Sequence, residues 1–216
     1  MVMRLVIGNR NYSSWSFRPW IAMRHAGIDF ETQVVPLDFT VDNVHLLEHS
    51  PSKRVPVLYD GDLCIWESLA ICEYVAERFP EAGLWPQNPA MRARARSISC
   101  EMHAGFSALR NSLHMNMHRK PAALAYHEGT AKDIARIEQI WADCRAETGQ
   151  GGPFLFGAFT IADAMFAPVV SRFHSYQVPV SPVSKAYMEA MAALPAWREW
   201  EAEALTEDWV IPGSEV

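Results

Sequence analysis

Residues 53–79 read Lys-Arg-Val-Pro-Val-Leu-Tyr-Asp-Gly-Asp-Leu-Cys-Ile-Trp-Glu-Ser-Leu-Ala-Ile-Cys-Glu-Tyr-Val-Ala-Glu-Arg-Phe. Two short runs of strand-forming residues, Val55 to Tyr59 and Leu63 to Trp66, flank Asp60-Gly61-Asp62. An Asp-Gly pair between such runs supplies the positive φ angles of a tight hairpin turn, so the spacing predicts two antiparallel strands. Directly after them Leu69, Cys72, Val75, Ala76 and Phe79 recur at helical spacing, which predicts a helix from Ser68 to Phe79.

Toward the N-terminus, Arg4 to Gly8 and Phe30 to Val35 read as strands separated by a helix from Phe17 to Ala26. A helix joining two strands at this distance makes a right-handed crossover and a parallel pair. The order is therefore βαβ, a connecting segment, then ββα, a small mixed α/β domain over residues 1–80. Three prolines and a glycine between Pro80 and Pro89 break both helix and sheet, so residues 81–89 read as a linker. Beyond it only helical periodicity remains, from Ala90 to about His118, Ala122 to about Thr148, Ile161 to about Phe173, and Lys185 to about Leu205 with a break at Pro195. Residues 90–216 form an all-α domain on this reading.

The 216 residues are 50% hydrophobic and 20% charged, which excludes disordered, collagenous and coiled-coil chains. Net charge is −6, and both halves of the chain are acidic on balance, so no nucleic-acid partner is expected. Met1 to Gly8 runs straight into Asn9, Arg10 and Asn11, without the pattern of a signal peptide. The longest apolar run, Ala164 to Val170, falls far short of the ~18 residues of a membrane span. A cytoplasmic protein with no membrane association is expected. Cys64, Cys72, Cys100 and Cys144 fit neither a CxxC motif nor a disulfide framework and read as reduced core thiols.

Four stretches carry chemistry. Asn11 to Ser16 lies where a strand gives way to a helix, a place whose converging N–H groups stabilise an anion. Because proline is tolerated in the first turn of a helix, Pro19 puts Ser16 at the N-cap and leaves Ser13 and Ser14 free, although a serine here also serves simply as a cap. Glu67-Ser68, with Ser68 as N-cap, would hold the α-amino acid end of a small molecule or be a cap beside a solvated glutamate. Val55-Pro56 after Lys53 and Arg54 is either a cis bond that turns the Val55 backbone toward an extended peptide or a trans proline on an edge strand. Thr160-Ile161-Ala162-Asp163 reads as a structural capping box, with Pro168 interrupting the helix that follows. His114 and His118, four apart with His103 upstream, lack a metalloprotease spacing and read as a polar stripe, so no metal is expected.

Together these motifs resemble the cytosolic glutathione transferase family, and within it the serine-type zeta class. Ser13-Ser14-Trp15-Ser16-Phe17-Arg18 resembles the zeta signature Ser-Ser-Cys-x-x-Arg, and Thr160 to Asp163 with Pro168 resembles the start of the family's buried sixth helix. The resemblance implies a thioredoxin-like βαβαββα domain followed by an all-α domain, a homodimer, and glutathione as co-substrate. It implies that Ser13 activates the glutathione sulfur, with Ser14 and Tyr12 as competitors. Trp15, Val55, a cis Pro56, Glu67 and Ser68 would bind the tripeptide, and Lys53 and Arg54 would face its glycine carboxylate. His103, Phe106, Arg110 and His114, taken as one face of the first long helix, would line the pocket for a small electrophile. Trp15 replaces the signature cysteine, so thiol-transferase chemistry is not expected, and Arg172 is an approximate counterpart of the arginine by which zeta isomerases hold a substrate carboxylate. Conjugation is the expected activity. The alternatives are isomerisation of the maleylacetoacetate type and glutathione binding without turnover.

Overall fold

A computed structural model describes residues 2–37, 44–148 and 151–215. Strands β1 (Met3–Ile7), β2 (Phe30–Val34), β3 (Val57–Asp60) and β4 (Leu63–Trp66) form one sheet in the order β2-β1-β3-β4. β1 pairs parallel with β2, Leu5 opposite Thr32, and antiparallel with β3, Leu5 opposite Leu58. β3 and β4 are the expected hairpin, closing at Asp60 opposite Leu63. Alternation along the pleat divides the core: Leu5, Ile7 and Leu58 pack with helices α1 (Ser14–His25) and α2 (Ser68–Arg78), while Val6 and Val57 meet Val35 and Leu46 on the other face. A 3₁₀ turn, Val44–Glu48, lies in the connecting segment.

The remaining chain is helical: α3 (Pro89–Ala104), α4 (Ser107–Ser112), α5 (Glu128–Glu147), α6 (Ile161–Ser175), α7 (Pro182–Ala192) and α8 (Pro195–Ala204). Pro89, Pro182 and Pro195 occupy first helical positions, where the missing N–H costs nothing. α6 is the hub, with every residue but His174 buried. Its capping box is formed: Asp163 Oδ2 accepts from Thr160 N–H at 2.8 Å and Thr160 Oγ1 at 3.0 Å, and Oδ1 accepts from Leu155 N–H at 3.0 Å. Phe17 of α1 stacks on Trp200 of α8 at 4.8 Å, so sheet-bearing and helical parts share one core.

Three expectations need correction. The long helix expected from Ala90 to His118 ends at Ala104, where Gly105 turns to extended backbone and sits so close to Glu101 that a Cβ there would lie 2.8 Å from its carbonyl oxygen. Phe106, at φ +59°, then redirects the chain into the short α4. His114 and His118 consequently follow α4 in irregular chain and share no helix face. Finally, all four cysteines are free, but only Cys72 and Cys144 are buried, Cys64 being half-buried and Cys100 exposed.

Candidate functional site

The loop after β1 turns on Asn9, whose carbonyl accepts from Tyr12 N–H at 3.2 Å and Ser13 N–H at 2.8 Å. That turn delivers the chain into α1 earlier than Pro19 suggested: Ser13, not Ser16, is the N-cap residue, and Pro19 lies inside the helix. Ser13 does not cap with its side chain. Its Oγ donates to Ser16 Oγ at 2.8 Å, and Ser16 Oγ accepts from Gly8 N–H at 3.1 Å, which ties the end of β1 to the first turn of α1. The tertiary bond to Gly8 is why Ser16 lies in the helix instead of at its edge.

Ser13 and Ser14 border a cavity of about 540 Å³, within the range of small-ligand pockets. Lys53, Arg54, Arg110, His114 and Arg172 also line it, and none of its described lining residues is acidic. Arg172 is buried, its Nε donating to Leu113 O at 2.8 Å, and burial followed by Arg110 lowers its pKa to about 10. Burial and Arg172 also lower the His114 pKa. Tyr12 lines the cavity but its hydroxyl donates to Glu215 Oε1, which also accepts from Asn116 Nδ2 at 2.9 Å. Burial first, and then Glu215, raise the Tyr12 pKa. Tyr12 thus fastens the 211–215 segment across the site, and Ser214 of that segment forms part of the wall. Nothing in the sequence marks this contact between residues two hundred positions apart.

A second cavity, about 390 Å³, adjoins the first, and Trp15, Arg54 and Val55 line both. Its wall holds Pro56, Glu67, Ser68 and His103. The Val55–Pro56 peptide is cis, and β3 begins two residues later than Val55. Glu67, not Ser68, is the N-cap residue of α2, and it holds φ +70° and ψ +124°, a conformation costing a non-glycine residue about 1–3 kcal/mol. Such strain persists where surrounding structure demands it, as at ligand sites. Ser68, shifted to the first helical position, is 1% exposed, and its Oγ has no hydrogen-bond partner among the described residues. The first turn of α2 carries no acidic side chain, so the positive end of its dipole lies at Ser68 with the N-cap Glu67 as the carboxylate beside it.

The four residues expected to share one helix face separate here. His103, near the end of α3, borders the smaller cavity, its Nε2 3.6 Å from Glu67 Oε2. Phe106 is buried in the core and lines neither cavity. Arg110 of α4 and His114 border the larger one, and Arg110 also donates to the Met102 and His103 carbonyls at the end of α3. The sequence reading also missed the surroundings of Arg18. Fully buried, it donates from Nε to Met165 O at 3.2 Å and lies 4.0 Å above the Trp15 ring, with no partner for Nη1 or Nη2 among the described residues. Burial, then Arg172 and Arg110, push its pKa well below the ordinary range.

Family models for the glutathione S-transferase N-terminal domain and C-terminal domain match residues 12–78 and 122–203. The chain belongs to the glutathione S-transferase family. It is 30% identical over 188 residues to a probable maleylacetoacetate isomerase of Caenorhabditis elegans, covering 86% of this chain and 87% of that one. It is 25% identical over 181 residues to a stringent starvation protein A homolog of Coxiella burnetii, covering 84% and 80%. A Burkholderia glutathione transferase homolog, solved with bound glutathione, has the same fold, with a TM-score of 0.70 at 23% identity over 96% of this chain and 100% of that one. The thioredoxin-like and all-helical arrangement is the glutathione S-transferase fold. No helix among the described residues is long and apolar enough to cross a membrane.

Proposed function

We propose that this glutathione S-transferase binds glutathione across the two cavities and presents its thiolate, activated by Ser13, to a small electrophile. Ser68 carries the reading: a buried hydroxyl without a partner among the described residues, at a helix N-terminus, beside a glutamate held at positive φ. A γ-glutamyl group has one carboxylate and one ammonium. The carboxylate takes the Ser68 hydroxyl and the first N–H groups of α2, and the ammonium takes Glu67. From there the tripeptide runs past the Val55 backbone, its sulfur toward Ser13 and its glycine carboxylate toward Lys53 and Arg54.

An ordinary thiol titrates near 8.5 and is mostly protonated at neutral pH. The thiol proton is released to solvent, and the Ser13–Ser16 bond reverses when sulfur arrives: Ser16, accepting from Gly8 N–H, donates a hydrogen bond to Ser13 Oγ, and Ser13 donates one to the thiolate. Each donor in such a chain is strengthened by the one behind it. Ser13 stabilises the anion and forms no covalent bond. The sulfur lone pair then attacks an electrophilic carbon in the larger cavity, forming an S–C bond as the leaving group departs with its electrons. Calorimetry with glutathione tests the site: Ser68→Ala is expected to weaken binding by about 1 kcal/mol, roughly fivefold. Unchanged affinity in both Ser68→Ala and Glu67→Ala removes its basis.

A second reading, glutathione-dependent cis–trans isomerisation, is favoured by the larger cavity's cations and lack of carboxylates, which suit an anionic substrate. Activity on maleylacetone but not on halogenated nitrobenzenes or peroxides would select it, and binding without turnover of any would select a non-catalytic role. We further propose two domains meeting near residues 81–89, a cytoplasmic location in keeping with four free cysteines, and a homodimer. Leu63 and Trp66 on edge strand β4, 48% and 44% exposed, supply apolar surface for a partner.

A further inference from the structure

We infer that His103 completes the ammonium site of the smaller cavity and makes glutathione binding depend on pH. The inference rests on the reading that the γ-glutamyl end lies at Glu67 and Ser68. His103 Nε2 and Glu67 Oε2 are 3.6 Å apart, both on the cavity wall. An ammonium between them has three N–H donors and can give one to the carboxylate and one to a neutral imidazole nitrogen. A protonated imidazole offers it no lone pair. It pairs with Glu67 itself and repels the incoming cation.

The surroundings of His103 keep it neutral. Its Nδ1 is buried without a partner among the described residues, and the tautomer that offers Nε2 to the ammonium keeps its one N–H there, so protonation adds the second N–H at Nε2, on the cavity side. The Trp15 ring meets its edge at 5.1 Å. Charged groups act on it from three other elements: Arg18 of α1, Arg110 of α4, and Glu67 before α2. Burial, Arg18 and Arg110 lower its pKa and outweigh Glu67, which raises it. Ligand binding and protonation are then mutually exclusive at this residue, and affinity declines by up to about tenfold per pH unit below the His103 pKa. The sequence expectation that His103 serves the electrophile pocket gives way to this role.

S-methylglutathione is the probe, since it keeps the γ-glutamyl group and has no titrating thiol. Calorimetry of the full chain between pH 7.5 and 5.0 is expected to show wild-type affinity falling progressively, by less than the roughly thirtyfold that an unshifted imidazole would give. His103→Gln, which keeps an acceptor and cannot titrate, should hold its affinity within about threefold. Equal pH dependence in both proteins overturns the inference and leaves the glutathione site standing. No binding by wild type at pH 7.5 instead overturns the functional reading beneath it. Should His103→Gln fail to fold, the imidazole resonances of the wild-type protein decide. One histidine's titration midpoint must fall when S-methylglutathione is added, and no such fall refutes the role of His103.

Discussion

Replacing Asp163 by asparagine tests how a buried carboxylate anchors the central helix. Asp163 is fully buried and accepts three hydrogen bonds, yet burial outweighs them and raises its pKa to about 6 from an ordinary 3.8. A carboxyl whose folded pKa is raised contributes its full stability below the unfolded value and loses it as pH rises through the folded one. With 1.36 kcal/mol per unit, the charged form costs the fold about 3 kcal/mol at neutral pH, of which about 1 to 2 kcal/mol is lost between pH 5 and 7.5. Asparagine cannot titrate. Its Oδ1 can still serve both Thr160 donors, but its Nδ2 faces Leu155 N–H and leaves that donor unpaired, at about 1–3 kcal/mol. Relative to wild type, Asp163→Asn should therefore be less stable at pH 5 than at pH 7.5, by about 1 to 2 kcal/mol. Urea unfolding followed by tryptophan fluorescence at the two pH values measures the difference. The same pH dependence in wild type and variant would refute the argument, because Asp163 would then not titrate in this range.

Other outcomes follow from the site. Ser16→Ala removes the hydrogen-bond donor behind Ser13 and should raise the apparent pKa of the turnover profile with less effect on glutathione affinity; an unshifted profile excludes the Gly8–Ser16–Ser13 chain. Tyr12→Phe should leave that profile in place while speeding hydrogen exchange at residues 211–215, since it removes one of the two bonds to Glu215 Oε1. If Tyr12→Phe shifts the profile and Ser13→Ala does not, the hydroxyl that meets the sulfur belongs to Tyr12. Light scattering at micromolar concentration should give twice the 24.4 kDa chain mass, and a single species at chain mass contradicts the dimer.

What the sequence revealed and what it concealed divide along the range of the interactions. The β3–β4 hairpin was legible because Asp60-Gly61 is local turn chemistry, and the α6 capping box because its partners are three residues apart. The start of α1 was misplaced because the Pro19 rule considers only the helix, whereas Ser16 is drawn in by Gly8 on the preceding strand. His103, Phe106, Arg110 and His114 fit one helical face on paper. A positive φ at Phe106, adopted against the usual preference of a bulky side chain, broke that face. The off-by-one at Glu67-Ser68 is similar, since a strained N-cap glutamate is not what helix-start statistics favour. The Tyr12–Glu215 contact and the burial of Arg18 depend wholly on tertiary packing.

The ultraviolet absorbance of the glutathione thiolate, followed across pH in the wild-type complex and in Ser13→Ala, shows whether Ser13 holds the sulfur as its anion. Bound thiol is expected to titrate clearly below the ordinary value of about 8.5, and Ser13→Ala to move the midpoint back up by on the order of one unit while affinity stays within a few-fold. A bound thiol that titrates as it does in water, or a midpoint that Ser13→Ala leaves in place, contradicts activation by Ser13.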